Sequence, residues 1–341
     1  MWGCGCGGVY DFFVSYINIM NNTVFINLGG LPPWLPAFST AALGGLLFGS
    51  DIGASSSVVR SLGTGLSDLG SLDALALGQV ASASLLGATA ASASLIILGD
   101  EKIGRKTELI TASSFFLLGT LIQSQSPSLE LIILGRVIYG LGIGTAMHVA
   151  PLYIAETSPD NLRGRLVSLK EAAIVAGIVL GYFAGSIFAG NELAGWRNVY
   201  ISVFPLEILM LLGGLYVPES ARWLSLRGRV DEAAQAFQDV QGISEAEARN
   251  KVNEMAKMTL LDSSSAAASV TKDGFIEKLK EISGSKYNRQ ALLIGVGLVL
   301  FQQLSGFLCD FFFKSNFTEH FEISNLSLIS HDCVSCDLLR S

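Results

Sequence analysis

Long apolar stretches are the feature of this sequence that most restricts its fold. A helix that crosses a bilayer needs about 20 mostly apolar residues. Six or seven segments meet that requirement, at 36–58, 78–98, 109–122, 129–155, 169–189, 200–217 and 291–313. They are continuous and rich in Leu, Ala and Gly, without the alternating pattern of a barrel strand. The sequence therefore predicts an all-α polytopic membrane protein.

The amino-acid composition excludes the common soluble classes. Half of the residues (50%) are hydrophobic and 15% are charged, whereas a soluble domain carries about 25% charged residues. The formal net charge of −7 indicates no basic surface for nucleic acid. We therefore expect a lipid bilayer around the chain and no nucleic-acid partner.

One charged block interrupts the series of apolar segments. Residues 218–289 hold 11 of the 22 Lys and Arg residues of the chain. Charges mixed with apolar residues at helical spacing predict helices at 230–240 and 244–261 within this block. Basic residues recur in alternate connections, and the positive-inside rule then predicts that the N-terminus and the block are cytosolic.

These patterns divide the chain into five predicted parts. In order, they are an atypical N-terminal segment (1–35), six transmembrane helices (36–217), a cytosolic charged helical insert (218–289), a seventh transmembrane helix (290–313) and a divergent tail (314–341). The first 217 residues are therefore expected to contain the main membrane domain.

Charged residues inside the apolar segments are the strongest functional candidates. Asp51 lies within the first segment, where an isolated carboxylate is costly, and Arg136 at the start of the fourth is its best available partner. Such a carboxylate can change its protonation when its surroundings change. The alternative is a static ion pair that only joins helices. Glu207 is a further carboxylate, within the sixth segment, which either takes up a proton or pairs with a neighbouring helix.

Other patterns argue against an enzyme. Gly140, Gly142 and Gly144 are spaced like part of a dinucleotide-binding loop, but no strand precedes them, so close helix packing is the better interpretation. His148 is expected to form a hydrogen bond between helices rather than to relay protons. The Cys/His cluster at 331–336 supplies fewer ligands than a structural zinc site needs. The sequence predicts no enzymatic activity, no cofactor and no metal.

Five motifs together resemble the sugar porter family of the major facilitator superfamily. They are GGLLFGSDIG (44–53), LGDEKIGRKTEL (98–109), GRVIYGLGIGTAMHVAPLYIAETSPDNLRGRLVSLKE (135–171), VPESARWL (217–224) and FQQLSG (301–306). MHVAPLYIAET and SLKE are most similar to the plant-type D-xylose–proton symporter-like branch, beside the plastidic and vacuolar glucose transporters. The resemblance implies two six-helix halves, each built of inverted three-helix repeats, with the substrate bound between them and alternating access.

The resemblance also implies roles for particular residues. Asp51 and Arg136 match the proton-coupling pair, although Ser50 stands where the family usually has Tyr. The implied sugar contacts are Phe48, Glu171, Gln302 and Gln303. The implied cytosolic salt-bridge latch is Asp100, Arg105, Glu156, Arg163, Glu219 and Arg222.

Structural alternatives exist for the implied sugar contacts. The alternative for Glu171 is an ion pair with Lys170 or Arg165. For Gln302 and Gln303 the alternative is hydrogen bonding between helices. Adjacent amides offer both donors and acceptors, which suits the hydroxyl groups of a sugar.

The length of the chain limits the function that the motifs imply. Only 38 residues follow Gln303 in the 341-residue chain, whereas five further spans need about 100 residues in helix. The expected fold is the six-helix N-terminal half of a major facilitator fold, with a cytosolic helical insert and an incomplete start of the second half. The predicted function is transport of a hexose or pentose, coupled to protons.

The sequence leaves open whether the chain itself transports and which membrane holds it. The alternative function is a non-transporting half, either a remnant or a modulator that pairs with a full-length partner or with another transporter half. The plasma membrane, the vacuolar membrane and the plastid envelope are all compatible locations.

Overall fold

The computed structural model describes residues 32–64, 67–98, 103–188, 195–266, 289–290, 293–297 and 300–301, and every regular element in this part is a helix. The chain divides into two compact units, Met1–Ser265 and Ala266–Ser341. In the second unit the described residues 289–290, 293–297 and 300–301 are helical. Most of the predicted seventh span lies outside the described residues.

The first unit begins with a bundle of apolar helices. These are α1 (Leu35–Gly63), α2 (Ala74–Leu98), α3 (Arg105–Gln125), α4 (Leu129–Thr157), α5 (Arg163–Phe188), α6 (Gly195–Ile201) and α7 (Phe204–Tyr216). Five segments are long and apolar enough to cross a membrane: Leu35–Gly63, Ala74–Ile97, Leu129–Thr157, Arg163–Phe188 and Gly195–Tyr216. Helix α3 covers the predicted third segment but is more polar than these five.

The sixth predicted segment is broken into two helices. Helix α6 ends at Ile201 and α7 begins at Phe204. Pro205 occupies the first turn of α7, where its missing N–H group costs no helical hydrogen bond. The predicted sixth segment still lies in a stretch long and apolar enough to cross a membrane, Gly195–Tyr216, but its helix is interrupted because the proline favours a new helix start.

Glycine residues let the helices of the bundle approach closely. A Cβ atom on Gly140 of α4 would lie 2.1 Å from the Ser84 carbonyl oxygen of α2. A Cβ atom on Gly144 would lie 2.3 Å from the Ala88 carbonyl oxygen of α2. Either distance is too short for any side chain. The packing role predicted for these glycines is confirmed.

The buried core runs along the bundle, and apolar surface remains outside it. Phe116 of α3 packs its ring on Tyr139 of α4, with ring centroids 4.8 Å apart. Helices α2 and α5 expose large apolar side chains, such as Ile97 and Phe183. Such faces match an apolar environment rather than water.

The described part of the charged segment after the bundle, residues 218–266, contains three helices. They are α8 (Ala221–Leu226), α9 (Val230–Gln241) and α10 (Glu245–Ala266), and they cover the two helices predicted from charge patterning. The helices enclose a small cluster around Phe237, Leu224 and Val252. The Tyr153 hydroxyl donates to the Pro218 carbonyl oxygen at 2.8 Å, which joins this segment to α4. We call this end of the bundle the insert side.

Candidate functional site

Asp51 of α1 and Arg136 of α4 form a two-pronged ion pair inside the bundle. Arg136 Nη1 lies 3.1 Å from Asp51 Oδ1, and Arg136 Nη2 lies 3.3 Å from Asp51 Oδ2. Only 7% of Asp51 and 1% of Arg136 is exposed. Parallel N–H···O bonds of this kind fix geometry as well as charge.

Four further acceptors hold the Arg136 guanidinium. Nε donates to the Val80 carbonyl oxygen at 2.5 Å, and Nη1 donates to the Tyr200 hydroxyl at 3.0 Å. Nη2 donates to Ser55 Oγ at 2.8 Å and to Ser84 Oγ at 2.9 Å. Helices α1, α2 and α6 therefore anchor the guanidinium through groups other than the carboxylate.

The site lies where four helices meet, and their sequences explain why. The glycines of α4 allow its backbone to touch α2, which brings Ser84 next to the ion pair. The guanidinium carbon of Arg136 also lies over the Tyr200 ring, 5.7 Å from the ring centroid. Ser50, at the position where the resemblance implies Tyr, is fully buried and donates to the Leu47 carbonyl oxygen.

Sequence reasoning missed three polar members of this site: Ser55, Ser84 and Tyr200. Ser84 belongs to a run of Ala, Ser and Gly that the sequence presents as a packing surface. A hydroxyl in such a run has no periodic signal of its own. The one available hint was that a buried Arg needs more acceptors than one carboxylate provides.

The implied sugar contacts are only partly within the described residues. Phe48 is half-buried against the main core cluster. Glu171 is exposed and lies 2.8 Å from Lys170 Nζ, which is the ion pair that the structural alternative proposes. Gln302 and Gln303 lie outside the described residues. A sugar-binding role for all four stays a prediction.

Two members of the implied latch meet at the insert side. Arg105 Nε, at the start of α3, lies 3.4 Å from Glu156 Oε2 near the end of α4. Ser220 Oγ donates to the same carboxylate oxygen at 2.6 Å. Glu219 Oε1 instead accepts the backbone N–H of Lys106 at 3.0 Å, so it caps the first turn of α3.

The other implied latch residues are not joined to this group by ion pairs among the described residues. Arg163 Nη2 pairs with Asp160 at 2.7 Å. Arg222 and Arg163 line a cavity of about 420 Å³ between α4 and the insert helices, together with Glu156. Asp100 lies outside the described residues.

A second buried polar pair joins α3 to α4. His148 Nδ1 lies 3.1 Å from Glu108 Oε2, and Arg105 Nη1 lies 3.6 Å from Glu108 Oε1. The interhelical bond expected for His148 is therefore present. Glu108 is 1% exposed, so the Arg105 cation and the hydrogen bond with His148 offset the loss of hydration of this carboxylate.

The opposite side of the bundle carries a clamp around Asp68, in the connection between α1 and α2. Arg197 Nη2 donates to Asp68 Oδ2 at 2.6 Å, and Trp196 Nε1 donates to Oδ1 at 3.2 Å. Partial burial raises the pKa of Asp68, but the hydrogen bonds from Arg197 and Trp196 lower it by more, to below its ordinary value. Arg197 also donates to the Ser124 carbonyl oxygen, which ties in the end of α3.

Sequence comparisons identify relatives among membrane transporters. The sequence profile of the family described as "Sugar (and other) transporter" matches residues 37–332. The chain is 39% identical over 309 residues to D-xylose-proton symporter-like 2 of Arabidopsis thaliana, covering 84% of this chain and 57% of that protein. It is 32% identical over 265 residues to the D-xylose transporter of Levilactobacillus brevis, covering 78% of this chain and 54% of that protein.

Solved structures of a membrane transporter are similar to this chain in fold. The partially occluded, inward-open xylose transporter XylE from E. coli matches with a TM-score of 0.63 and 26% identity, over 82% of this chain and 65% of that one. XylE bound to 6-bromo-6-deoxy-D-glucose matches with a TM-score of 0.59 and 27% identity, over 65% and 52%. The chain spans about half the length of the curated relatives that it matches.

Proposed function

Because the chain belongs to the sugar porter family of the major facilitator superfamily, we propose that it takes part in the transport of a pentose or hexose together with a proton. The names of its relatives refer to D-xylose and to proton symport, which supports this substrate class. The fold is that of a multi-pass membrane protein, which provides the bilayer-spanning scaffold that transport needs.

The observation that carries the proposal is the buried ion pair of Asp51 and Arg136. In the proposed mechanism Asp51 takes up a proton from one side and releases it to the other. Arg136 keeps its acceptors at Val80, Ser55, Ser84 and Tyr200 when the carboxylate becomes neutral. The cation therefore stays in place, and the change of charge falls on Asp51 alone.

We further propose that Phe48, Glu171, Gln302 and Gln303 contact the sugar. The family resemblance supports this assignment, and the exposed position of Glu171 leaves its carboxylate accessible. A carboxylate accepts hydrogen bonds from sugar hydroxyls, and the Glu171 side chain is 62% exposed although its partner Lys170 is buried. The Arg105–Glu156 contact is the part of the proposed latch that the described geometry supports.

Uptake by the reconstituted chain tests the proposal directly. The full chain is inserted into proteoliposomes, and uptake of labelled xylose and glucose is measured with and without an inward proton gradient. Gradient-driven uptake that Asp51→Asn abolishes is the expected result. Asp231→Asn is the matched control, since Asp231 is exposed in the insert and far along the chain from the coupling pair. Uptake that is equal with and without the gradient would contradict proton coupling.

A non-transporting half is the second candidate function, because the chain spans about half the length of its relatives. The sugar site of the family forms between two halves, and in this candidate function the chain pairs with a full-length partner and modulates it. Correct insertion without uptake, combined with altered uptake by a co-reconstituted full-length relative, would favour this candidate over the first.

We propose that the insert side is cytosolic, on the distribution of basic residues. Single cysteines at Glu232, in the insert, and at Ser71, on the opposite side, provide the test in a variant whose five native cysteines are replaced by serine. An impermeant maleimide added to intact cells is expected to label Ser71→Cys and to spare Glu232→Cys. The reverse pattern would invert the proposed orientation.

A further inference from the structure

Glu207 is a carboxyl group with no exposed surface and, within the part of the chain that the structure describes, no cation against it. It lies on α7, within the apolar segment Gly195–Tyr216, and its exposed fraction is 0%. Thr120 Oγ1 of α3 donates to Glu207 Oε1 at 2.5 Å, while Oε2 has no hydrogen-bond partner. Among the described residues, no Lys, Arg or His forms an ion pair with this carboxyl group.

Two other deeply buried carboxylates among the described residues of the bundle provide the comparison. Asp51 contacts the guanidinium of Arg136 through both oxygens. Glu108 contacts His148 and Arg105. Each of those carboxylates therefore has a cationic or protonatable partner on a neighbouring helix, whereas Glu207 has a single neutral hydroxyl.

The helices around α7 supply neutral groups to this position. On α3, Thr120 makes the one hydrogen bond, and Gln123 one turn further has a buried Oε1 without a partner. On α4, the buried Tyr139 hydroxyl donates to the Leu47 carbonyl oxygen at 3.3 Å.

An ionised carboxylate in such a place has lost its hydration without gaining a counter-charge, and a buried group in that situation takes up a proton instead. We propose that Glu207 is a proton-binding site separate from the Asp51–Arg136 pair. The carboxylate accepts one proton from water and becomes a neutral carboxylic acid that stays hydrogen-bonded to Thr120. The chain then binds one proton beyond any that Asp51 exchanges, and this holds whether or not it transports sugar.

Infrared spectroscopy of the full chain in lipid bilayers at neutral pH tests the site without an uptake measurement. A protonated carboxyl group has a C=O stretching band that is well separated from the carboxylate bands. This band is expected in the unsubstituted chain and in Glu108→Gln, the matched control at another buried carboxylate. It is expected to disappear in Glu207→Gln, whose amide keeps the shape and the neutrality of the acid.

A second substitution keeps the test decisive if Glu207→Gln does not fold. Thr120→Val removes the hydroxyl that contacts the carboxyl group, so the band is expected to move in frequency while its area stays the same. Absence of the band from the unsubstituted chain would overturn the proposal. A band that persists in a folded Glu207→Gln chain, or that does not move in Thr120→Val, belongs to another carboxyl group and would also overturn it.

Discussion

Ser84 Oγ donates a hydrogen bond to Asp51 Oδ2 at 3.0 Å, across the contact between α2 and α1. The same hydroxyl oxygen accepts a hydrogen bond from Arg136 Nη2 at 2.9 Å. Ser84 therefore touches both charges of the pair. Ser55 lies at nearly the same distance from Nη2, 2.8 Å, and its bond within the site is to the guanidinium. The two serines form a matched comparison within one site.

Replacing Ser84 is expected to change how uptake depends on pH. Ser84→Ala removes a donor from the Asp51 carboxylate, whereas Ser55→Ala removes only an acceptor from Arg136. Hydrogen bonds to charged groups contribute about 1.5–3 kcal/mol, so both variants are expected to unfold more easily. The pH midpoint of uptake is expected to move more in Ser84→Ala than in Ser55→Ala. Equal movement in the two variants would show that the bridging bond has no special effect on Asp51.

Gly140→Ala is expected to separate α2 from α4. The new Cβ would lie 2.1 Å from the Ser84 carbonyl oxygen, so the backbones must move apart and the ion-pair site must open. Overpacking of this kind costs about 1–3 kcal/mol, which thermal unfolding measures.

Gly78→Ala is the matched control for that substitution. Gly78 lies within α2, and a Cβ atom added there would have nothing within 4 Å, so alanine is expected to be neutral or to stabilise the helix by up to about 1 kcal/mol. Equal destabilisation by the two substitutions would contradict the close-approach explanation.

Much of the fold follows from patterns that are local in the sequence. The apolar segments predict the helices, and a carboxylate in the first span requires a cation that Arg136 can provide. The GLGIG glycines predict close packing because few other roles exist for such residues within a span. These features depend on residue type and spacing, which the sequence displays directly.

The features that the sequence did not reveal depend on contacts between distant residues. Ser84 and Tyr200 join the ion pair only because α2 and α6 reach Arg136 in the folded bundle. Glu219, which the resemblance places among the latch charges, also caps α3, and this cap depends on Gly104, which leaves room for the carboxylate. The break between α6 and α7 coincides with Pro205, and the continuous apolar pattern of this segment conceals it.

The Asp68 clamp is expected to make stability depend on acid pH. The carboxylate binds its proton less tightly in the folded chain, because hydrogen bonds from Arg197 and Trp196 outweigh partial burial and lower the pKa of Asp68. Its contribution is therefore complete above the unfolded-state pKa, about 3.9, and is lost as the pH falls through the lower folded-state pKa. Since the side chain of Asp68 is 42% exposed, the contribution is about 1 kcal/mol or less.

Thermal unfolding of Asp68→Asn beside the unsubstituted chain measures this contribution. The difference between the two is expected near neutral pH and is expected to shrink well below about pH 4. Arg197→Gln serves as the control, because without its main partner Asp68 should show little of this pH dependence. A difference that stays constant with pH would assign the effect of Asp68→Asn to packing rather than to charge.

Glu219 is expected to stabilise α3 as a helix cap, and this role can be separated from its charge. Its Oε1 accepts the N–H groups of Lys106 and of Ser220, each at 3.0 Å, at an end of α3 where Gly104 has no side chain to supply a cap. Glu219→Ala loses the acceptor and is expected to cost about 0.5–2 kcal/mol, as other cap losses do. Glu219→Gln keeps an acceptor oxygen of the same reach, so thermal unfolding should place it much closer to the unsubstituted chain.

Gly104→Ala should resemble Glu219→Ala, because its Cβ would occupy the position of the carboxylate, 2.1 Å from Oε2. If Glu219→Gln were as unstable as Glu219→Ala, the negative charge rather than the cap would hold this end of α3, as the latch role implied by the family requires.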